Sequence, residues 1–227
     1  APVNTKKEMN QIQIELAAGS DKKAEKHLKG LIAAHPQSDI ADDATINLAR
    51  LYFKQQNYEA AYGAYMSLVE SNVLSPNEVE AIVGASKCLH RLGRVDESLA
   101  LTTRGLKIPG LTDLSRMELH RQRYQLLITT GDRLEALRSL AFIYDKDSKS
   151  ETKAQAHARA SEIVFSLLTD SDLEKIIDDS QFNFVRAQAA YRLGVFRLNQ
   201  KDFDKARSRF VNAADWGQGT PLQSRAE

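Results

Sequence analysis

The chain contains a single cysteine, Cys88, among its 227 residues. An intramolecular disulfide and a thiolate metal cluster are therefore excluded, because both need at least two thiols. Proline and glycine are also scarce, with 5 and 11 residues that fall mainly between periodic apolar segments. This distribution is typical of long helices joined by short connections. Cys88 lies on the inward stripe of a predicted helix, where we expect a small buried side chain.

The chain also lacks an excess of charge of either sign and any long apolar run. It carries 31 Lys and Arg against 30 Asp and Glu, a formal net charge of +1. No global field therefore favours nucleic acid, and aromatic and basic residues are not interleaved as in single-strand binders. No apolar run approaches the roughly 18 residues that span a bilayer. We expect neither nucleic-acid binding nor direct membrane insertion by this segment.

Residues with catalytic or metal-binding chemistry are dispersed along the chain. The five histidines fall in four different predicted repeat units. None forms the two-histidine helical pair that zinc enzymes use. Acidic pairs such as Asp42-Asp43 stand at helix starts or turns, where capping accounts for them. The sequence therefore predicts a protein that is not an enzyme and that holds no metal or other cofactor.

The chain does contain a repeated spacing of apolar, small and aromatic residues. Its two clearest copies are Leu48-Ala49, Tyr52, Ala61, Tyr65 and Leu68, and then Leu193-Gly194, Ala206, Phe210 and Ala213. Apolar residues at three- and four-residue spacing run through almost the whole chain, and no alternating stretch suggests a strand. The sequence therefore predicts an all-α protein built of helix pairs.

A small residue marks the start of the second helix in five of the predicted pairs, where two backbones cross closely. These anchors are Ala24, Ala61, Ser98, Ala136 and Ala206, at intervals of 37, 37, 38 and 70 residues. Each follows a turn containing Gly, Asn or Asp, which can end one helix and cap the next. The long last interval leaves room for a degenerate unit, with a long helix at 151–168 and a short one at 173–177. We expect Pro36, Pro76 and Pro109 to close the first three units.

This pattern resembles the tetratricopeptide repeat, whose unit has about 34 residues. The first copy fills the family pattern, whereas the second has Arg197 where the first aromatic residue is expected. The resemblance implies a right-handed α–α superhelix, or solenoid, of about six helix pairs with a degenerate fifth pair. We expect a single repeat domain over residues 1–227, as a fragment of a longer chain. Its units are expected near 4–37, 39–75, 76–109, 112–146, 150–180 and 183–217.

Residues 148–210 are similar, in the order of their segments, to a second group of proteins. A long helix precedes the segment Leu167-Leu168-Thr169-Asp170-Ser171-Asp172, and a renewed Ala-Tyr-Arg-Leu-Gly helix follows. The N-terminal repeat region of the penicillin-binding-protein activators, which are bacterial envelope lipoproteins, has this order. The resemblance implies a periplasmic protein, anchored to the outer membrane through an N-terminal lipid that this sequence lacks. A cytoplasmic location is the alternative.

The two resemblances imply a non-catalytic scaffold that binds or regulates a partner protein, in the peptidoglycan synthesis machinery for an envelope lipoprotein. A cytoplasmic tetratricopeptide adaptor or peptide-sensing regulator is the alternative. In such arrays the first helices line the concave surface. The positions expected to be exposed there, which we call the basic ladder, are Asn47, Arg50, Lys54, Lys87, His90, Arg91, Arg121 and Gln125. These groups could hold an acidic peptide or a C-terminal carboxylate, and a solvated helix face is the alternative.

Overall fold

The computed structural model describes residues 2–70 and 77–226, with side chains from residue 6 onward. These residues form thirteen α-helices and one 3₁₀ segment, without a β-strand. The predicted all-α fold is confirmed, whereas Pro76 lies outside the described residues. None of the described helices is long and apolar enough to cross a membrane.

Twelve of the helices form six consecutive pairs, as the spacing predicts. The first three pairs are α1 (Pro2–Ala17) with α2 (Asp21–Ala34), α3 (Asp39–Lys54) with α4 (Tyr58–Glu70), and α5 (Glu78–Arg91) with α6 (Val95–Leu106). The last three are α7 (Asp113–Thr130) with α8 (Arg133–Lys146), α9 (Ser150–Ser166) with α10 (Asp170–Asp178), and α11 (Arg186–Asn199) with α12 (Phe203–Trp216). The 3₁₀ segment (Ser180–Val185) follows α10, and the short α13 (Gln223–Ala226) follows α12.

The fifth pair is degenerate, as expected. Its second helix, α10, has 9 residues, whereas the other second helices have 12 to 14. A capping box begins α10, because the Thr169 side chain accepts from the main-chain N–H of Asp172 and the Asp172 side chain accepts from that of Thr169. This reciprocal cap satisfies two N–H groups that the first turn of a helix leaves unpaired.

The turns inside five of the six pairs contain a residue with left-handed backbone angles. Three of these residues are glycines: Gly19, Gly93 and Gly131. The other two are Gln56, with φ 60°, and Lys201, with φ 63°. A side chain in this region costs roughly 1–2 kcal/mol, because its Cβ approaches the following carbonyl oxygen. The predicted turns are therefore confirmed, and two of them are strained.

The predicted small anchors are all buried. The third pair has a serine at this point, Ser98 on α6. Its hydroxyl donates to the main-chain oxygen of Ser86 on α5 at 2.8 Å, and the two serine hydroxyls lie 2.7 Å apart. A polar anchor is tolerated in this helix crossing because its hydrogen bonds are satisfied within the pair.

Two aromatic residues of the repeated pattern pack directly onto glycines of first helices. The Tyr65 ring on α4 lies against Gly84 of α5, and the Phe210 ring on α12 lies against Gly194 of α11. A Cβ at Gly194 would come within 2.7 Å of the Phe210 ring. The spacing of small and aromatic residues in the sequence therefore encodes a close contact between a helix backbone and a ring.

Arg197, the departure from the family pattern, ties the short α10 to the sixth pair. Its guanidinium lies 3.4 Å from the Glu174 carboxylate and 3.8 Å from that of Asp170, both on α10. Glu174 also pairs with Arg209 of α12 at 2.6 Å. Partly buried ion pairs thus stand where a regular repeat has an aromatic contact.

The chain divides into two compact units, Ala1–Gly110 and Leu111–Glu227. In the N-terminal unit, a core between α1, α2 and α3 is built around Ile12, Leu28 and Leu48. The core of the C-terminal unit includes Phe182 of the 3₁₀ segment, which is fully buried. The expectation of one repeat domain over residues 1–227 stays a prediction.

Candidate functional site

Three first helices of the N-terminal unit, α1, α3 and α5, contribute to one polar surface, which we call the first-helix face. Gln13 of α1 donates to the Asn47 side chain of α3 at 3.3 Å. Asn77, immediately before α5, donates to the Asp43 carboxylate of α3 at 2.9 Å. Each bond joins residues 34 positions apart, about one repeat. The first helices of this unit therefore lie side by side in repeat register, as a helical-repeat array requires.

Six residues of the basic ladder belong to this face, among them Arg50 and Lys54, which form ion pairs with carboxylates. Arg50 of α3 forms an ion pair with Glu80 of α5. The Lys54 ammonium lies 3.2 Å from the Asp21 carboxylate at the start of α2. Exposed pairs of this kind contribute only about 0–1 kcal/mol. An acidic ligand could therefore displace Glu80 or Asp21 at little cost in free energy.

The remaining basic residues of the face follow Glu80 along α5. Lys87 and Arg91 are exposed, and His90 is half-buried. Glu80, Lys87 and Arg91 are spaced seven and four residues apart, which places them on one side of the helix. Positive charge therefore lies on the same side of α5 as the Arg50 contact.

The last two ladder residues, Arg121 and Gln125, lie on α7 in the C-terminal unit. Both are exposed. The Arg121 guanidinium is 2.6 Å from the Glu118 carboxylate one helical turn earlier. The binding role of the ladder as a whole stays a prediction.

A cavity that the sequence analysis did not single out lies in the C-terminal unit, and we call it the α8 cleft. Its volume is about 540 Å³. Helix α7 contributes His120 and Arg123 to its lining, and the 3₁₀ segment contributes Phe184. The contribution of α8 includes Glu135, Arg138, Phe142 and Tyr144.

The shortness of α10 helps to form this cleft. After α10 ends, the Asp179 carboxylate accepts from the main-chain N–H of Gln181 at 2.9 Å and caps the 3₁₀ segment. That segment packs against α8, with Phe182 buried beneath it. Phe184 then stacks on Tyr144 of α8, with ring centroids 5.0 Å apart. One wall of the cleft is therefore a loop-like segment that follows the degenerate helix.

The ionic groups of the cleft largely balance one another. Glu135 lies between two guanidiniums, 3.1 Å from Arg123 and 3.3 Å from Arg138. Arg138 also approaches Asp179 at 3.6 Å. Since each arginine charge faces a carboxylate, the cleft has no strong electrostatic preference for an anion.

Two buried nitrogens of the cleft residues have no hydrogen-bond partner among the described residues: His120 Nδ1 and Arg123 Nε. A buried polar group without a partner costs roughly 1–3 kcal/mol. His120 also stacks on Phe142, with centroids 4.4 Å apart. Burial, with smaller effects of the Arg123 and Arg116 charges, lowers the pKa of His120 to about 4. The imidazole is therefore neutral near neutral pH.

The spacing pattern of a single helix does not reveal the cleft, because its lining comes from α7, α8 and the 3₁₀ segment. His120 and Arg123 lie three residues apart on α7. The basic ladder includes their exposed neighbour Arg121 but neither of these two residues. The available signal was a pair of aromatic spacings, at 142 and 144 and at 182 and 184, flanking the degenerate fifth unit. Only the contact between α8 and the 3₁₀ segment brings these rings together.

Comparisons with known proteins agree with the repeat pattern. Residues 46–108, which run from α3 past α6, match the family model of the tetratricopeptide repeat. A solved tetratricopeptide repeat protein from Parabacteroides merdae ATCC 43184 has a TM-score of 0.55 and 14% identity, over 98% of this chain and 96% of that chain. The fold is a tetratricopeptide-like helical repeat.

A second solved structure with this repeat is YrrB, described as a tetratricopeptide protein with an unusual peptide-binding site. It has a TM-score of 0.48 and 18% identity, over 88% of this chain and 96% of that chain. No curated protein matches the sequence. The tetratricopeptide-like fold thus rests on the family model and on the first of these structures.

Proposed function

We propose that this tetratricopeptide-like chain is a non-catalytic scaffold that binds a partner protein. Tetratricopeptide-like folds suggest protein–protein interaction scaffolds, since stacked repeats present long continuous surfaces. The observation that carries the proposal is the first-helix face, where α1, α3 and α5 lie in register and expose polar and basic groups. Such a surface could receive an extended segment of a partner.

The chemistry of the face favours an acidic segment or a C-terminal carboxylate. Arg91 and Lys87 would donate to carboxylate oxygens, and Arg50 would exchange Glu80 for the ligand. Arginine binds carboxylates through two parallel hydrogen bonds, which adds orientation to charge. The ion pair that a ligand would replace is exposed and weak. Breaking it therefore costs little of the free energy gained from the new contacts with the ligand.

We further infer that the chain is the repeat domain of a bacterial cell-envelope lipoprotein, periplasmic and held at the outer membrane by a lipid outside this sequence. Its partner would then belong to the peptidoglycan synthesis machinery. The support is the order of segments in residues 148–210, which resembles that of the penicillin-binding-protein activators. Fractionation of cells that carry the full-length protein tests this inference. Recovery in the outer-membrane fraction is expected, and recovery in the cytosol would favour the cytoplasmic adaptor.

Site-specific crosslinking tests the binding proposal. A photoreactive residue would replace Gln13, an exposed residue of the first-helix face that keeps the basic groups intact, or, as a control, Arg104, which is exposed on the second helix α6. We expect a discrete crosslinked protein from position 13 and not from position 104. The Arg50→Glu change should reduce the yield from position 13. Identical products from both positions, or no product from position 13, would contradict the proposal.

A further inference from the structure

We propose that the α8 cleft is a second binding site, which accepts a peptide segment with one aromatic side chain and a main-chain carbonyl that bonds to Arg123. The inference concerns the C-terminal unit and does not depend on the first-helix face. It starts from three properties of the cleft: its aromatic walls, its unpaired buried nitrogens and its balanced charge.

The walls of the cleft suit an aromatic guest. Two stacked ring pairs line it, His120 with Phe142 and Tyr144 with Phe184. Aromatic rings favour offset or edge-to-face packing against other rings, beyond the free energy of burial alone. The volume of about 540 Å³ lies within the usual range for ligand clefts, roughly 300–1,000 Å³. It is large enough for one aromatic side chain with its flanking main chain.

The unpaired nitrogens define the polar part of the guest. The Nε–H of Arg123 can only donate, so its partner must be an acceptor. His120 Nδ1 is a second polar atom that a peptide group could satisfy. Both nitrogens belong to the side that α7 contributes, whereas the Tyr144 and Phe184 rings belong to α8 and the 3₁₀ segment. Because both nitrogens are buried within the protein, a guest would bond to them only after the Arg123 and His120 side chains turn toward it, and it would pack its ring on the opposite side.

The charge balance favours a neutral acceptor. Arg123 and Arg138 already share the Glu135 carboxylate, and Arg138 also faces Asp179. A carboxylate guest would gain little net attraction, and it would lie close to Glu135. A main-chain carbonyl oxygen accepts from Arg123 without this repulsion. At the rim, the exposed Gln181 and Asn183 side chains can bond to further peptide groups.

The test uses the 227-residue chain and two blocked peptides, acetyl-Ala-Ala-Phe-Ala-Ala-amide and the same peptide with Ala in place of Phe. Binding is followed by NMR through the resonances of His120, Tyr144 and Phe184. We expect the Phe peptide to shift these resonances in a saturable way and the Ala peptide to leave them unchanged. Thermal unfolding of every variant checks that the fold is kept.

Two matched pairs of variants locate the site. Arg123→Met removes the Nε–H donor and should weaken binding of the Phe peptide by about tenfold or more, whereas Arg121→Met, outside the cleft on the same helix, should change the affinity by less than about twofold. Phe184→Leu keeps an apolar side chain but loses the stack, and should also weaken binding. Phe165→Leu, at a position 42% exposed on α9, is its control.

The proposal is overturned if the Phe peptide shifts none of these resonances, or if the Ala peptide binds equally well. It is also overturned if Arg121→Met and Arg123→Met weaken binding to the same extent. Arg91→Glu on the first-helix face should leave the affinity of the Phe peptide unchanged. The proposed function and this second site can therefore fail separately.

Discussion

Acid should destabilise the C-terminal unit through His120, because its pKa is about 4 in the folded chain against an ordinary value of 6.5. The unfolded chain binds a proton more readily than the folded one between these values. The stability from the neutral imidazole is therefore fully present above pH 6.5 and is lost as the pH falls toward 4.

The size of the effect follows from the two pKa values. Each pKa unit corresponds to about 1.4 kcal/mol. Between about pH 7 and about pH 5, the folded imidazole stays mostly neutral while the unfolded one becomes mostly charged, which removes at most about 2 kcal/mol from the free energy of unfolding. Because His120 is half-buried, solvent reduces the loss below this limit.

Urea unfolding at both pH values measures the loss, for the native chain, for His120→Gln and for the control His90→Gln on α5. Glutamine does not titrate, so His120→Gln should lose less stability than the native chain on acidification. His90→Gln should keep the pH dependence that His120 causes. An NMR titration in which His120 takes up its proton near pH 6.5, or equal pH dependence of the native chain and His120→Gln, would refute the reasoning.

Three further predictions concern stability and reactivity. Gln56→Gly and Lys201→Gly should each raise the free energy of unfolding by about 0.5–1 kcal/mol, because glycine relieves the strain of the left-handed turn. A lower free energy of unfolding, measured in urea, would contradict this. Gly194→Ala should lower the free energy of unfolding by about 1–3 kcal/mol, because the added Cβ would collide with the Phe210 ring of α12. Gly63→Ala, where a Cβ would meet open space, should leave the free energy of unfolding unchanged or raise it. A loss of stability in both variants, or in neither, would argue against the ring contact. Burial raises the pKa of Cys88 to about 12, so a thiol reagent should modify it only in urea, and rapid labelling of the native chain would contradict its burial.

The helix pairs could be predicted because their determinants are local in sequence. Ala61 and Ser98 mark helix crossings by their size, and the turns before them contain residues that end or cap helices. Thr169 and Asp172 likewise form a cap that needs only three residues of context. Such features lie within one turn or one helix, so spacing alone reveals them.

Neither the ion pairs of the first-helix face nor the existence of the α8 cleft could be predicted in this way. Arg50 meets Glu80, 30 residues later, so the ion pair depends on how successive repeats align. Phe184 reaches Tyr144 only because α10 ends early and the next segment packs against α8. Both features arise from tertiary contacts, which helix periodicity does not specify.

The most direct test of the scaffold account is the affinity of the crosslinked partner for matched charge-reversal variants. Arg91→Glu lies on the first-helix face, and Arg104→Glu makes the same charge change on α6. If the first-helix face binds the partner, Arg91→Glu should weaken binding by about tenfold or more, while Arg104→Glu should change it by less than about twofold. Equal affinity of the two variants for the partner would contradict it.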